Sequence, residues 1–265
     1  PRCHYAPTTL PFGVRRFLTL SLVIAVLAGC ARAEPLPPPV RVLFIGNSYT
    51  YVNDLPHRFA ELAQAGRHPV IVDMAAPGGW TLQQHAGSAE TSRKIEESPW
   101  AFVILQEQSI VPAVPQAREA GMYPAVRRLA TAIRSHGSEP VLYLTWARRD
   151  GLADNGFADF GAMQAAITDG YLHIANELDL RVAAAGEAWR LARREIPDAP
   201  LFDGDGSHPA PAGTYLTACV LYATLFHASP EGLAAPAGVE PALAARLQTL
   251  AAAVVLKDPG RWHLH

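Results

Sequence analysis

From residue 40 onward, short apolar runs and longer amphipathic stretches take turns along the chain. Five runs rich in β-branched residues predict strands at 40–45, 69–75, 101–106, 140–145 and about 181–185. Helical periodicity fills the intervals near 55–66, 88–97, 118–136, 158–179, 211–227 and 239–255. Strand–helix alternation implies parallel pairing through right-handed crossovers, with helices covering both faces. The expected fold is therefore α/β, a doubly wound parallel sheet of about five strands. No internal repeat and no linker divides 40–265.

The first residues break that pattern. Arg15-Arg16 precede an apolar run from Phe17 to Ala28, which is short for a bilayer span. Leu27-Ala28-Gly29-Cys30 matches the lipobox of bacterial lipoproteins, where the Cys is acylated and becomes the first residue; Ala31-Arg32-Ala33 offers ordinary signal peptidase a rival site. The expected organisation is a signal peptide over 1–29, a Pro-rich tether over 30–39 and one globular domain over 40–265. The expected location follows: exported from a bacterial cell, either anchored as a lipoprotein through Cys30 or periplasmic/secreted.

Composition removes several function classes. The 265 residues are 49% hydrophobic and 17% charged, enough for a full core, and the net charge of −2 with no basic stripe argues against nucleic acid. Cys219 sits in an apolar helical stretch and reads as a buried small hydrophobe. The histidines lack metal-ligand spacing, so no zinc site is expected, and no other metal or organic cofactor is expected either.

Chemistry gathers at strand ends. The first strand stops at Gly46-Asn47-Ser48, which places a hydroxyl at the carboxyl edge where open α/β sheets bind ligands. That turn has neither the dinucleotide glycines nor a phosphate-loop Lys. Far downstream, Asp205-Gly206-Ser207-His208-Pro209 supplies an imidazole with a carboxylate three residues before it. A Ser needs such a base to act as a nucleophile. Asp203 is an alternative partner for His208, and 203–207 also resembles the start of a calcium loop, but His208 and Thr214 stand where that loop needs Gly and Glu.

These blocks together resemble the SGNH (GDSL-type) serine hydrolases, in a variant with Gly-Asn-Ser for Gly-Asp-Ser. Pro77-Gly78-Gly79-Trp80 is similar to the family's second block, and Leu105-Gln106-Glu107-Gln108-Ser109 falls where the third has Gly-x-Asn-Asp. The resemblance implies a Ser48–His208–Asp205 triad and an oxyanion hole from the Ser48 and Gly79 N–H groups and the Gln108 amide, with Gln106 as its substitute. Tyr49, Trp80, His85, Trp146 and Arg149 are candidate substrate contacts, because aromatic rings, His and Arg on these loops suit a sugar ring or an anionic group. The expected activity is hydrolysis of short-chain acyl esters, acetyl first, on a carbohydrate. The alternatives are an acyl transferase or lipase with the same triad, and a glycan-binding envelope protein without turnover. The expected partner is that acylated carbohydrate or another small ester, with membrane contact only through an N-terminal lipid.

Overall fold

The structure is a computed structural model that describes residues 1, 2, 4 and 37–264. The signal segment, Cys30 and most of the Pro-rich tether lie outside the described residues.

Five parallel strands make the sheet: β1 (Val40–Ile45), β2 (Val70–Ala75), β3 (Phe102–Leu105), β4 (Glu139–Tyr143) and β5 (Arg181–Ala183), in the order β2-β1-β3-β4-β5. Central strands carry continuous apolar sequence because both faces are covered; Val42 to Ile45 of β1 are fully buried. β2 is an edge strand, so Ile71 and Met74 remain exposed. The chain runs from β1 out to β2 and then returns across β1 to β3, so direction reverses between β1 and β3. A crevice opens at such a reversal, beyond the carboxyl ends of the two strands.

Ten helices surround the sheet: α1 (Ser48–Tyr51), α2 (Leu55–Ala65), α3 (Leu82–Ala86), α4 (Ala89–Glu96), α5 (Pro115–Ala117), α6 (Tyr123–Ser135), α7 (Phe160–Leu178), α8 (Ala185–Glu195), α9 (Pro211–Phe226) and α10 (Pro241–Leu256), among the described residues. α9 is buried along nearly its whole length because α2, α8 and α10 all pack on it. α3 and α7 pack on α6 instead.

The helix expected over 118–136 is interrupted. Residues 118–122 form a wide π turn before α6 begins at Tyr123. Pro124 has no N–H and would clash with the carbonyl four residues back, and the wider turn accommodates it. Strand four ends at Tyr143, earlier than expected; Leu144 N still donates to Ala183 O of β5 at 3.0 Å, and the chain then turns into the loop that carries Trp146. No helix among the described residues is long and apolar enough to cross a membrane.

Candidate active site

Gly46 ends β1 because nothing larger fits there. A Cβ would lie 2.4 Å from Gln106 Oε1 and 2.5 Å from Thr50 Oγ1. Asn47 then caps the single turn of α1, its Oδ1 accepting from Tyr49 N at 3.1 Å. Ser48 is therefore the first residue of a helix, and its N–H has no carbonyl to reach within that helix. Asn47 also ties the turn to its neighbours, donating Nδ2–H to Trp80 O at 2.8 Å and accepting from Gln106 Nε2 at 2.9 Å.

The Pro77–Trp80 turn follows β2, with Gly79 at φ +73°, a left-handed conformation that favours glycine. Thr81 and Gln84 then exchange the two hydrogen bonds of a capping box and start α3. No hydrogen bond engages the Gly79 N–H or the Ser48 N–H among the described residues. Both residues border the same pocket.

The loop after β3 divides its polar residues by depth. Gln106 is fully buried and spent on structure, accepting at Oε1 from Asn47 N (2.8 Å) and Thr50 Oγ1 (3.0 Å) and donating to Asn47 Oδ1. Gln108 borders the pocket; its Oε1 accepts from Ile110 N at 2.8 Å, which leaves the Nε2 arm uncommitted. Glu107 is buried between them. Its Oε1 accepts from Leu82 N (3.1 Å) and Gln108 N (2.6 Å), bridging the Gly79 and Gln108 loops. Burial pushes its carboxyl up to about 7.

The His loop closes on the bridge between Phe202 and Pro209, with Asp203 N donating to His208 O at 2.8 Å. Asp205 Oδ1 accepts from the backbone N–H of Ser207 and of His208, both at 2.9 Å, and Oδ2 meets His208 Nδ1 at 2.5 Å. The imidazole's hydrogen bond, helped by those two backbone donors, lowers the Asp205 carboxyl to about 2. His208 Nε2 lies 2.9 Å from Ser48 Oγ, joining residues 160 positions apart. Asp203 is not the imidazole partner; its carboxylate is turned to Gly204 N. The pocket beside Ser48 measures about 330 Å³. Larger hollows beside Arg127 and beside Arg246 hold no member of this set.

No family model matches the sequence, and no curated protein matches it. Solved structures do. A protein described as a candidate SGNH hydrolase from Slackia heliotrinireducens is 29% identical, with TM-score 0.62, over 71% of this chain and all of that one. A DUF4886 family protein from Bacteroides uniformis aligns at TM-score 0.72 and 20% identity, over 83% of this chain and 95% of that one. By fold, the chain belongs to the SGNH hydrolase superfamily. An acetyl-xylooligosaccharide esterase from Geobacillus shares that fold at 15% identity and TM-score 0.55, over 72% of this chain and 96% of its own. These neighbours support a hydrolase.

On this SGNH frame the candidate substrate contacts need correction. His85 is buried, not in the pocket: its Nε2 bonds Gly46 O at 2.8 Å and its Nδ1 bonds Thr91 Oγ1 at 2.9 Å, bracing the nucleophile turn from behind. Burial lowers its pKa. Trp146 is also fully buried. It stacks on Trp189 (4.0 Å between ring centres) and on Tyr49 (4.6 Å), and donates Nε1–H to Ser207 O at 3.0 Å. Its role is to hold the His loop against α1. Trp80 is half-buried against His85 and outside the pocket lining. Arg149 is exposed and outside the pocket lining; it pairs with Asp150, and its guanidinium lies over Gly206 of the His loop. Tyr49 does line the pocket, but its hydroxyl is engaged with Ser207 Oγ at 2.8 Å.

Tyr51, Ser109 and Ser207 border the pocket and were not singled out from sequence; Arg148 also borders it, where the sequence offered both arginines of this loop and the choice fell on Arg149. Arg148 adjoins Arg149 and is the member of the pair that turns inward; an irregular loop gives no periodicity from which to choose between them.

Proposed function

We propose that this chain is an exported serine esterase that removes short acyl groups, acetyl first, from a carbohydrate ester. The observation that carries the reading is the unbroken relay from Ser48 Oγ through the His208 ring to Asp205, opening on a pocket bordered by uncommitted backbone amides. Ser48 attacks the ester carbonyl while His208 Nε2 takes its proton and later returns it to the leaving alcohol. Asp205 accepts from Nδ1–H, which keeps Nε2 unprotonated and facing the hydroxyl, and stabilises the imidazolium as it forms. The oxyanion meets the Ser48 and Gly79 N–H groups and the Gln108 amide. Losing one such donor typically costs about 3–4 kcal/mol of barrier. Water then hydrolyses the acyl-enzyme with His208 as base.

A pocket of about 330 Å³ with a mixed polar lining favours a small acyl group over a fatty chain. The intact relay favours turnover over a purely glycan-binding role. Export rests on the Leu27–Cys30 lipobox, and the tether over 30–39 would set the domain off from a lipid anchor.

The test compares p-nitrophenyl acetate with p-nitrophenyl octanoate for the wild type and Ser48→Ala. The reading requires faster acetate turnover that Ser48→Ala abolishes. Equal rates for the two proteins refute the esterase; an octanoate preference refutes the short-acyl assignment. Mass spectrometry of protein exported from a bacterial host tests the anchor, with an unmodified start at Glu34 as the contrary result.

A further inference from the structure

Arg148 brings to the pocket a positive charge that no carboxylate among the described residues pairs with. Arg148 borders the cavity together with Ser48, Gly79, Gln108 and His208. Its Nε is sealed from solvent and has no hydrogen-bond partner, and no carboxylate among the described residues pairs with its guanidinium. Elsewhere in the fold, half-buried arginines close on carboxylates, as Arg118 does on Asp169 and Arg181 on Glu139. The acidic groups nearest the pocket are not on Arg148. Asp205 is spent on His208 and two backbone donors, and Glu107 is buried with Oε1 on Leu82 N and Gln108 N.

The backbone that carries Arg148 is also held in place. Gln164 Oε1 accepts from Ala147 N at 2.8 Å, the adjoining Trp146 ring is clamped between Tyr49 and Trp189, and Gly151 N closes a turn onto Arg148 O at 3.1 Å. A guanidinium with its Nε sealed and unpartnered, beside a nucleophile and without a carboxylate on it, suits an anion that arrives with the substrate. One cationic group matches a single negative charge better than a dianion.

Resting on the esterase reading above, we propose that the substrate is an ester bearing a carboxylate close to the scissile bond, recognised by Arg148. The carboxylate belongs either to the alcohol part, as in an acetylated uronic acid, or to the acyl part, as in a dicarboxylic half-ester.

Two matched pairs of esters separate these sources. Acetate release is compared between acetylated methyl glucuronide and acetylated methyl glucoside, and nitrophenol release between p-nitrophenyl hemisuccinate and p-nitrophenyl acetate. Each is run on the wild type, Arg148→Met and Arg148→Lys, with thermal melting as the folding control. In one pair the wild type should prefer the anionic member in kcat/KM. Arg148→Met should cut that preference roughly 10- to 100-fold, the value of one charge-assisted hydrogen bond. Arg148→Lys should keep part of it, and added salt should weaken it. No anionic preference in either pair, or a preference that survives Arg148→Met, overturns the proposal. Binding of methyl glucuronide and of succinate to Ser48→Ala, with and without Arg148→Met, is read by calorimetry. Arg148-dependent binding without turnover by the wild type would refute the esterase and leave the anion site standing; turnover without any Arg148 dependence would do the reverse.

Discussion

Asn47→Asp restores the residue that SGNH hydrolases more often carry beside the nucleophile, and in this chain it should do harm. The Asn47 amide is almost fully buried and uses both ends: Oδ1 accepts from Tyr49 N and Gln106 Nε2, and Nδ2 donates to Trp80 O at 2.8 Å. A carboxylate keeps the first two contacts and loses the third. In its place an anionic oxygen faces the Trp80 carbonyl out of contact with water. A lost hydrogen bond is worth about 1 kcal/mol, and the stranded buried carbonyl adds about 1–3 kcal/mol. The sum, about 2–4 kcal/mol, is a large part of the roughly 5–15 kcal/mol that holds a typical domain. Urea unfolding at pH 7.5 should show a lower Cm with an unchanged slope. The penalty should shrink in acid. Desolvation raises the introduced carboxyl above the ordinary Asp value of about 3.9, so its favourable contribution is full below that value and disappears as pH climbs through the raised one. Once protonated, it can donate to Trp80 O as the amide did. Because Trp80 follows Gly79, acetate turnover should also fall about 10- to 100-fold through misplacement of the oxyanion donor. A variant as stable as wild type at pH 7.5, or a deficit independent of pH, would refute this account of the turn.

Other consequences follow from the same geometry. Asp205→Asn keeps the Oδ1 contacts to Ser207 N and His208 N but loses the acceptor at His208 Nδ1; esterase assays should show kcat down about 10³- to 10⁴-fold, with little change in melting temperature. Glu107→Gln keeps the acceptor that bridges Leu82 N and Gln108 N while removing a charge. Burial raises that carboxyl from 4.5 to about 7, so wild-type stability should fall as pH rises through this window. Urea titrations should find the variant gaining on wild type up to about 3 kcal/mol at pH 8 and not at all at pH 4. Gly46→Ala places a methyl against Gln106 Oε1 and Thr50 Oγ1; it should cost about 1–3 kcal/mol in urea unfolding, and turnover should drop with it.

The sheet was legible because its strands are apolar runs buried on both faces, and that pattern needs no knowledge of neighbours. α3 escaped notice because a single turn carries no periodicity; its signal was the capping pair Thr81 and Gln84. At the site, Ser48, Asp205 and His208 could be grouped from local spacing and strand ends, and the fold brings them together. Side-chain depth could not be read in the same way. His85 and Trp146 were assigned by residue type to a sugar-binding surface, yet both brace loops from inside. Gln106 and Gln108 share the parity of an extended chain, so alternation could not separate them; the demands of the Asn47 turn do. Arg148 and Arg149 were indistinguishable until the loop after β4 had a path.

The central claim is that Ser48 is a nucleophile made reactive by His208. It is tested most directly by treating the protein with a fluorophosphonate and mapping the adduct by mass spectrometry. The account predicts one adduct, on Ser48, forming about 10³-fold more slowly in His208→Ala. No adduct on Ser48, or labelling at the same rate without the imidazole, would contradict it.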